Sequence, residues 1–284
     1  MSETLDVPDA TQLREAVRQR YTTAAQLTLA GETGSCCGPS SCAAPSVDPI
    51  TADLYDADAA PSETALGASL GCGNPTALID LAPGQDVLDL GSGGGLDVLL
   101  SARRVAPDGT AYGVDMTEEM LRLAEQNRAE AGVENARFLR GAIEDLPLPD
   151  GSVDVVISNC VINLSTDKDR VLAEAFRVLR PGGRFAVADI VLLRDLEPRL
   201  MTVVELWTGC ISGALTTEDY RAKLRNAGFD NATVQLTREY TVEDLHDLAG
   251  AVTHALPGGL TEADAVTGLT GAFASAFIRA DKAG

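Results

Sequence analysis

Apolar and polar residues along this chain follow two alternating periods, and that alternation predicts the architecture. Val87, Leu88 and Leu90 form a short apolar run after Asp86 and before a glycine-dense turn, Gly91-Ser92-Gly93-Gly94-Gly95. Leu96, Val98, Leu99 and Leu100 then resume at helical spacing. Short apolar runs bounded by turn formers read as buried strands. Three more follow over 110–115, 136–140 and the strongly β-branched 153–160. A fifth spans 184–191, after Arg180-Pro181-Gly182-Gly183, which terminates the helix expected over 167–179. Thr117 is the expected N-cap of a helix to about Ala131, with Glu118 and Glu119 in its first turn. Strands alternating with helices in this way predict a doubly wound α/β sheet, with its ligand over the carboxyl ends of the strands.

The flanks carry different patterns. Residues 11–30 place Leu13, Val17, Tyr21 and Leu27 on one helical face among Arg14, Arg18 and Arg20. Such a helix either caps the ligand cleft or packs on the sheet edge. Gly31 to Cys42 is rich in Gly, Ser and Pro and reads as a loop holding Cys36, Cys37 and Cys42. Three thiols in so short a polar loop are not core filling, and they suggest a soft-ion or redox site. Cys72 sits between Gly71 and Gly73 in another turn. Beyond strand five, 195–210 reads as a helix, and Thr217 caps the next, over 218–227. Segments 233–241 and 272–280 form a closing hairpin around a helical excursion. The chain therefore divides into an amino-terminal helix and thiol loop (1–75), a nucleotide-type core (76–195) and a carboxyl-terminal segment of the same domain (196–284).

Composition narrows the function classes. The formal net charge is −20, from 42 acidic and 22 basic residues, which disfavours nucleic acid and anionic membrane as partners. No apolar signal opens the chain and no run is long enough to span a bilayer, so a cytoplasmic protein is expected, with reduced cysteines.

The turn alone admits a plain strand–helix connection with no ligand, but its partners agree on a nucleotide-like one. Strand two ends in Asp115, 26 residues after Asp89, where an acid accepts hydrogen bonds from ribose hydroxyls. The third glycine of a dinucleotide fingerprint is missing from Gly91-Ser92-Gly93-Gly94-Gly95-Leu96. Asp89-Leu90-Gly91-Ser92-Gly93, the acid-ended second strand and Arg180-Pro181-Gly182-Gly183 resemble a class I S-adenosylmethionine-dependent methyltransferase. That resemblance implies a Rossmann-like, mostly parallel seven-stranded sheet closed by an antiparallel hairpin. It implies that Asp89, Gly91, Ser92 and Gly93 face the methionine portion of the cofactor and Asp115 its ribose. Met116 and Ile143 would flank the adenine, with Glu144 near its amino group, and Asn159 would border the same site.

The thiols point to a narrower family. Ser158-Asn159-Cys160-Val161-Ile162-Asn163-Leu164, Gly71-Cys72-Gly73, the Cys36-Cys37 pair and Trp207-Thr208-Gly209-Cys210-Ile211-Ser212-Gly213 look like the motifs of arsenite methyltransferases. The resemblance runs over roughly 15–240, and a chain without the further carboxyl-terminal domain of longer members is expected. It implies trivalent arsenic held at Cys160, Cys210 and Cys72, with Cys36 or Cys37 closing over it. Thiolates are the ligands a soft centre prefers. The implied substrate is arsenite or its glutathione conjugate, and the implied reductant is thioredoxin or glutathione. An arsenic lone pair needs no general base, which suits a chain with only His246 and His254. A methyltransferase for carbon or oxygen nucleophiles, and a metalloid-binding or redox protein without turnover, are the alternatives.

Overall fold

The computed structural model describes residues 8–30, 73, 74, 76 and 79–284. One sheet contains β1 (Val87–Leu90), β2 (Ala111–Asp115), β3 (Ala136–Arg140), β4 (Val153–Asn159), β5 (Leu179–Leu192), β6 (Leu215–Thr216), β7 (Asp230–Glu239) and β8 (Phe273–Asp281). Its order is β3-β2-β1-β4-β5-β8-β7, with β6 paired to β5. The first five strands are parallel, and β8 runs antiparallel to both β5 and β7. The main path thus has the seven strands expected. β6 adds an eighth of two residues, too short to leave a period in the sequence. The order reverses at β1 and β4, and a doubly wound sheet places its ligand crevice outside the carboxyl ends of the strands flanking that switch.

Helices cover the sheet: α1 (Ala10–Leu29), α2 (Leu96–Val105), α3 (Glu118–Ala131), α4 (Lys168–Val178), α5 (Val204–Thr208), α6 (Thr217–Asn226), α7 (Val242–Val252) and α8 (Glu262–Leu269). One core packs Leu88, Leu90, Val156, Leu172, Phe185, Tyr220 and Ile278 together. A second gathers Val17 of α1 with Ile190, Leu206, Ile211, Leu245 and Phe273, and includes Cys160 and Cys210. Each fully buried Leu or Ile contributes about 1.5–3 kcal/mol, so these clusters fix the loop ends on which the site is built. α1 is capped by Asp9, whose carboxylate accepts from the Thr11 and Gln12 amides while Gln12 returns a bond to Asp9 N. Its Ala25 packs with Met120 and Leu123 of α3.

Four local expectations change. Thr117 occupies the N-cap of α3 but makes no side-chain cap bond. Its own amide donates to Asp115 Oδ1 at 2.8 Å, so a carboxylate two residues earlier serves the helix start. The cap of α6 is Thr216, which accepts from Asp219 N at 3.0 Å, one residue before the expected Thr217. Residues 195–210 are not one helix. Pro198 disfavours helical backbone at Glu197, and a 3-10 turn (Leu200–Thr202) precedes the short α5. Strand β5 begins at Leu179, where Val153 pairs with it, and runs through Pro181-Gly182-Gly183 with a register shift before Val155. Those turn formers end α4 as expected, yet they lie inside an irregular strand.

Candidate functional site

The β1–α2 turn is shaped by positive backbone angles, with φ of +70° at Gly91, +49° at Gly93 and +86° at Gly95. A side chain is excluded at Gly91 for a second reason, because a Cβ there would lie 2.6 Å from Val161 Cγ2. Gly93 N donates to Asp115 Oδ2 at 3.0 Å, tying the turn to the end of β2. Behind it, Asp89 is buried, and burial raises its carboxyl well above the usual range, with Asp97 and then Asp115 adding to the effect. Burial also raises Asp115, against hydrogen bonds that oppose the shift. Asp89 Oδ1 and Ser92 Oγ are buried with no hydrogen-bond partner among the described residues. Unsatisfied buried acceptors cost about 1–3 kcal/mol each, and a bound cation or donor is the natural relief.

A cleft of about 630 Å³ opens beside this turn. Gly91, Asp115, Met116, Ile143 and Glu144 line it, whereas Asp89, Ser92 and Gly93 lie in β1 and its turn without being part of that lining. Glu144 Oε1 accepts from Ser165 Oγ at 2.5 Å and lies 3.5 Å from Arg14. Asn159 is aimed elsewhere. Its Nδ2 donates to Gly73 O at 2.6 Å, and its Oδ1 accepts from Gly73 N at 3.1 Å. It grips the segment before β1 rather than lining the cleft. Arg14, Val17 and Tyr21 of α1 also line the cleft, as do Val161 and Leu164. The apolar stripe of 13, 17 and 21 signalled that α1 packs inward, but gave no reason to choose the cleft over a sheet edge.

Cys160 and Cys210 come together from 50 positions apart. Both adopt left-handed backbone, at φ +61° and +67°, and Asn231 alone shares that state among described non-glycine residues. For an L residue this costs about 1–2 kcal/mol, and such strain persists where the surroundings enforce it. Cys160 N donates to Ala188 O at 2.8 Å, and Cys210 N to Trp207 O at 2.9 Å. Cys210 is a thiol whose Sγ donates to Cys160 O at 2.7 Å. Cys160 is disulfide-bonded. Both side chains are buried, in the core shared with Val17 and Leu164, residues that also line the cleft. The element after Cys160 is a single 3-10 turn, Ile162–Leu164, rather than a helix start. Cys36, Cys37, Cys42 and Cys72 lie outside the described residues.

Titratable groups lie near Cys210. Lys168 Nζ stands 5.1 Å over the Trp207 ring and donates to Ser165 O at 2.7 Å. Burial lowers Lys168 to about 8, while Asp189 and Cys210 pull the other way. Asp189 is raised to about 7 by burial, offset in part by Lys168. Tyr220 Oη donates to Asp189 Oδ2 at 3.3 Å, and burial pushes the phenol up. Nothing local in the sequence signals this cluster, since a lysine at a helix start and an acid inside a strand are ordinary alone.

Residues 81–228 match the methyltransferase domain family. The chain is 42% identical over 245 residues to the arsenite methyltransferase of Halobacterium salinarum, covering 82% of this chain and 61% of that protein. It is 36% identical over 239 residues to the arsenite methyltransferase of Aquipseudomonas alcaligenes, of which it covers 66%. It thus spans less than two thirds of the length of these curated relatives. The crystal structure of an arsenic(III) S-adenosylmethionine methyltransferase from Chlamydomonas reinhardtii superposes with a TM-score of 0.62 at 33% identity, over 82% of this chain and 72% of that one. The [4+2]-cyclase SpnF shares the fold at a TM-score of 0.63 with 20% identity, so architecture alone does not name the reaction. No helix among the described residues is long and apolar enough to cross a membrane.

Proposed function

Because this chain belongs to the arsenite methyltransferase family of S-adenosylmethionine-dependent enzymes, we propose that it methylates thiol-bound trivalent arsenic, giving mono- and dimethylated products. The observation that carries this reading is the convergence of Cys160 and Cys210, both strained and within one hydrogen bond of each other, on the core that also walls the cleft. Two cysteines held at a conformational cost, both thiols once the Cys160 disulfide is reduced, suit a soft ligand better than they suit core packing.

The donor set fits the family's cofactor. Asp89, Asp97 and Asp115 gather three buried carboxyls at the turn, which a bound cation would favour in ionised form, and Asp89 Oδ1 and Ser92 Oγ are open acceptors there. A ligand bearing an ammonium and a sulfonium matches both features. Asp89, Ser92 and the Gly91–Gly93 backbone would hold its methionine end. Asp115 would take the ribose hydroxyls, Met116 and Ile143 the adenine faces, and Glu144 the adenine amino group. Asn159 would act by fixing the segment at Gly73. When bound, S-adenosylmethionine supplies a sulfonium methyl that the arsenic lone pair takes up as the carbon–sulfur bond breaks.

The chain's own contribution is positioning, worth up to about 7–11 kcal/mol of barrier in favourable cases. Cys160 and Cys210, with Cys72 as third ligand and Cys36 or Cys37 closing over, would replace hydroxide or glutathione on arsenic. Cys160 must first be reduced, and a thiol donor such as thioredoxin or glutathione, in the cytoplasm, is the reductant we infer. Purified protein given arsenite, S-adenosylmethionine and thiol should release methylarsenicals, separable by chromatography with arsenic detection. Cys160→Ser and Cys210→Ser should each abolish that product while still binding S-adenosylhomocysteine. Retained methylarsenic in both would mean that these two thiols do not hold the arsenic, and no methylarsenic from the native protein would point instead to a carbon or oxygen nucleophile.

A further inference from the structure

One side chain that carries none of this chemistry holds the two thiol-bearing turns together. Asn163 lies in the 3-10 turn three residues after Cys160 and is fully buried. Its Nδ2 donates to Ile190 O at 2.8 Å and to Cys210 O at 3.2 Å. Both partners are carbonyls, so only the NH₂ side of the amide can face them. Its Oδ1 is buried and accepts nothing from the described residues. The backbone of the same residue fixes the opposing turn as well, since a Cβ at Gly213 would run into Asn163 O. Glycine therefore lets the 210–213 turn approach this closely, and Cys210 Sγ reaches Cys160 O from there.

The orphaned oxygen costs stability in a dry interior, and the NH₂ group offsets that cost by giving Ile190 O and Cys210 O a donor. What the amide supplies is geometry: it clamps the Cys210 carbonyl to β5 while its own turn follows directly from Cys160. We propose that Asn163 is a positioning residue that sets the separation and facing of Cys160 and Cys210, and thereby the affinity for arsenic. The inference rests on the reading of these two thiols as arsenic ligands.

Trp207, the single tryptophan of the chain, precedes Cys210 by three residues, so its fluorescence is the probe chosen for arsenite binding to the reduced protein. S-adenosylhomocysteine binding is read in parallel by calorimetry. Asn163→Ala should weaken arsenite binding at least tenfold and leave S-adenosylhomocysteine affinity within twofold. In a Cys210→Ser background it should leave the residual arsenite affinity unchanged, because the thiol it aims is gone. A merely structural role would add its loss to that of Cys210→Ser instead. Gly213→Ala widens the same gap without removing a polar group and should act in the same direction. Folded Asn163→Ala with arsenite affinity within twofold of native, or with additive losses, overturns the inference. If Asn163→Ala does not fold, native affinity in Gly213→Ala overturns it and a tenfold loss supports it. If Cys160→Ser and Cys210→Ser both bind arsenite like the native protein, the thiol reading itself has failed and the inference falls with it.

Discussion

Gly91→Ala tests the junction between the cofactor turn and the arsenic turn. Gly91 holds φ at +70°, and an added Cβ would meet Val161 Cγ2 at 2.6 Å and Val161 Cβ at 2.9 Å. The backbone part costs about 1–2 kcal/mol for an L residue in left-handed conformation. The collision adds about 1–3 kcal/mol, the usual range for an overpacked site. The whole effect is therefore about 2–5 kcal/mol. Val161 directly follows Cys160, so relief by moving Val161 also displaces the thiol. Urea unfolding read by circular dichroism gives the stability change at constant slope. Val161→Ala placed in the Gly91→Ala background should return the part of the collision made by the two Cγ methyls and leave the backbone part and the 2.9 Å approach of Val161 Cβ. Refutation is simple: Gly91→Ala within 0.5 kcal/mol of native, or no rescue by Val161→Ala, would mean that the two turns are not in contact as described.

The remaining expectations concern strain, pH and the helix over the cleft. Cys210→Gly should be more stable than Cys210→Ala by about 1 kcal/mol, the reverse of the usual order, because only glycine relieves φ +67°; equal melting would remove the strain argument. Asp189 is raised to about 7 from an ordinary 3.8, so the folded chain keeps a proton that the unfolded chain releases. Its contribution is therefore full at acid pH and is lost as pH climbs from about 4 through 7, by up to about 4 kcal/mol at roughly 1.4 kcal/mol per pH unit. Asp189→Asn should flatten that fall in a pH series of unfolding curves, and an unchanged slope would contradict it. Arg20 Nη1 donates to Thr208 Oγ1 at 2.7 Å, tying α1 to the element that leads to Cys210. Arg20→Ala should cost about 1.5–3 kcal/mol and weaken arsenite binding, measured by unfolding and by Trp207 fluorescence.

Much of the frame was legible because it is written in local periods. The runs at 87–90, 111–115, 136–140 and 153–159 alternate with helical spacing, and β3 has the boundaries expected. The closing hairpin was legible for the same reason, with β7 and β8 pairing as two apolar-patterned segments far apart in sequence. What was not legible depends on tertiary contact. β6 exists only because β5 lies beside it. The break before Leu200 is the exception, since Pro198 marks it in the sequence. The positive φ at Cys160 and Cys210 has no sequence sign, since cysteine is not a residue that favours it. Asn163 belonged to a recognised motif, yet its clamp on Cys210 needs the fold to bring 163 and 210 together. The order of the cysteines along the chain gives no sign that Cys160 and Cys210 lie within one hydrogen bond of each other, which only the fold brings about.

The most direct measurement follows the methyl group. Reduced native protein is mixed with arsenite and methyl-labelled S-adenosylmethionine, and the arsenic fraction is analysed by mass spectrometry. The expected result is labelled methylarsenic, formed by the native chain and absent with Cys210→Ser. Arsenic that is retained by the native protein yet carries no labelled methyl would contradict the proposed function.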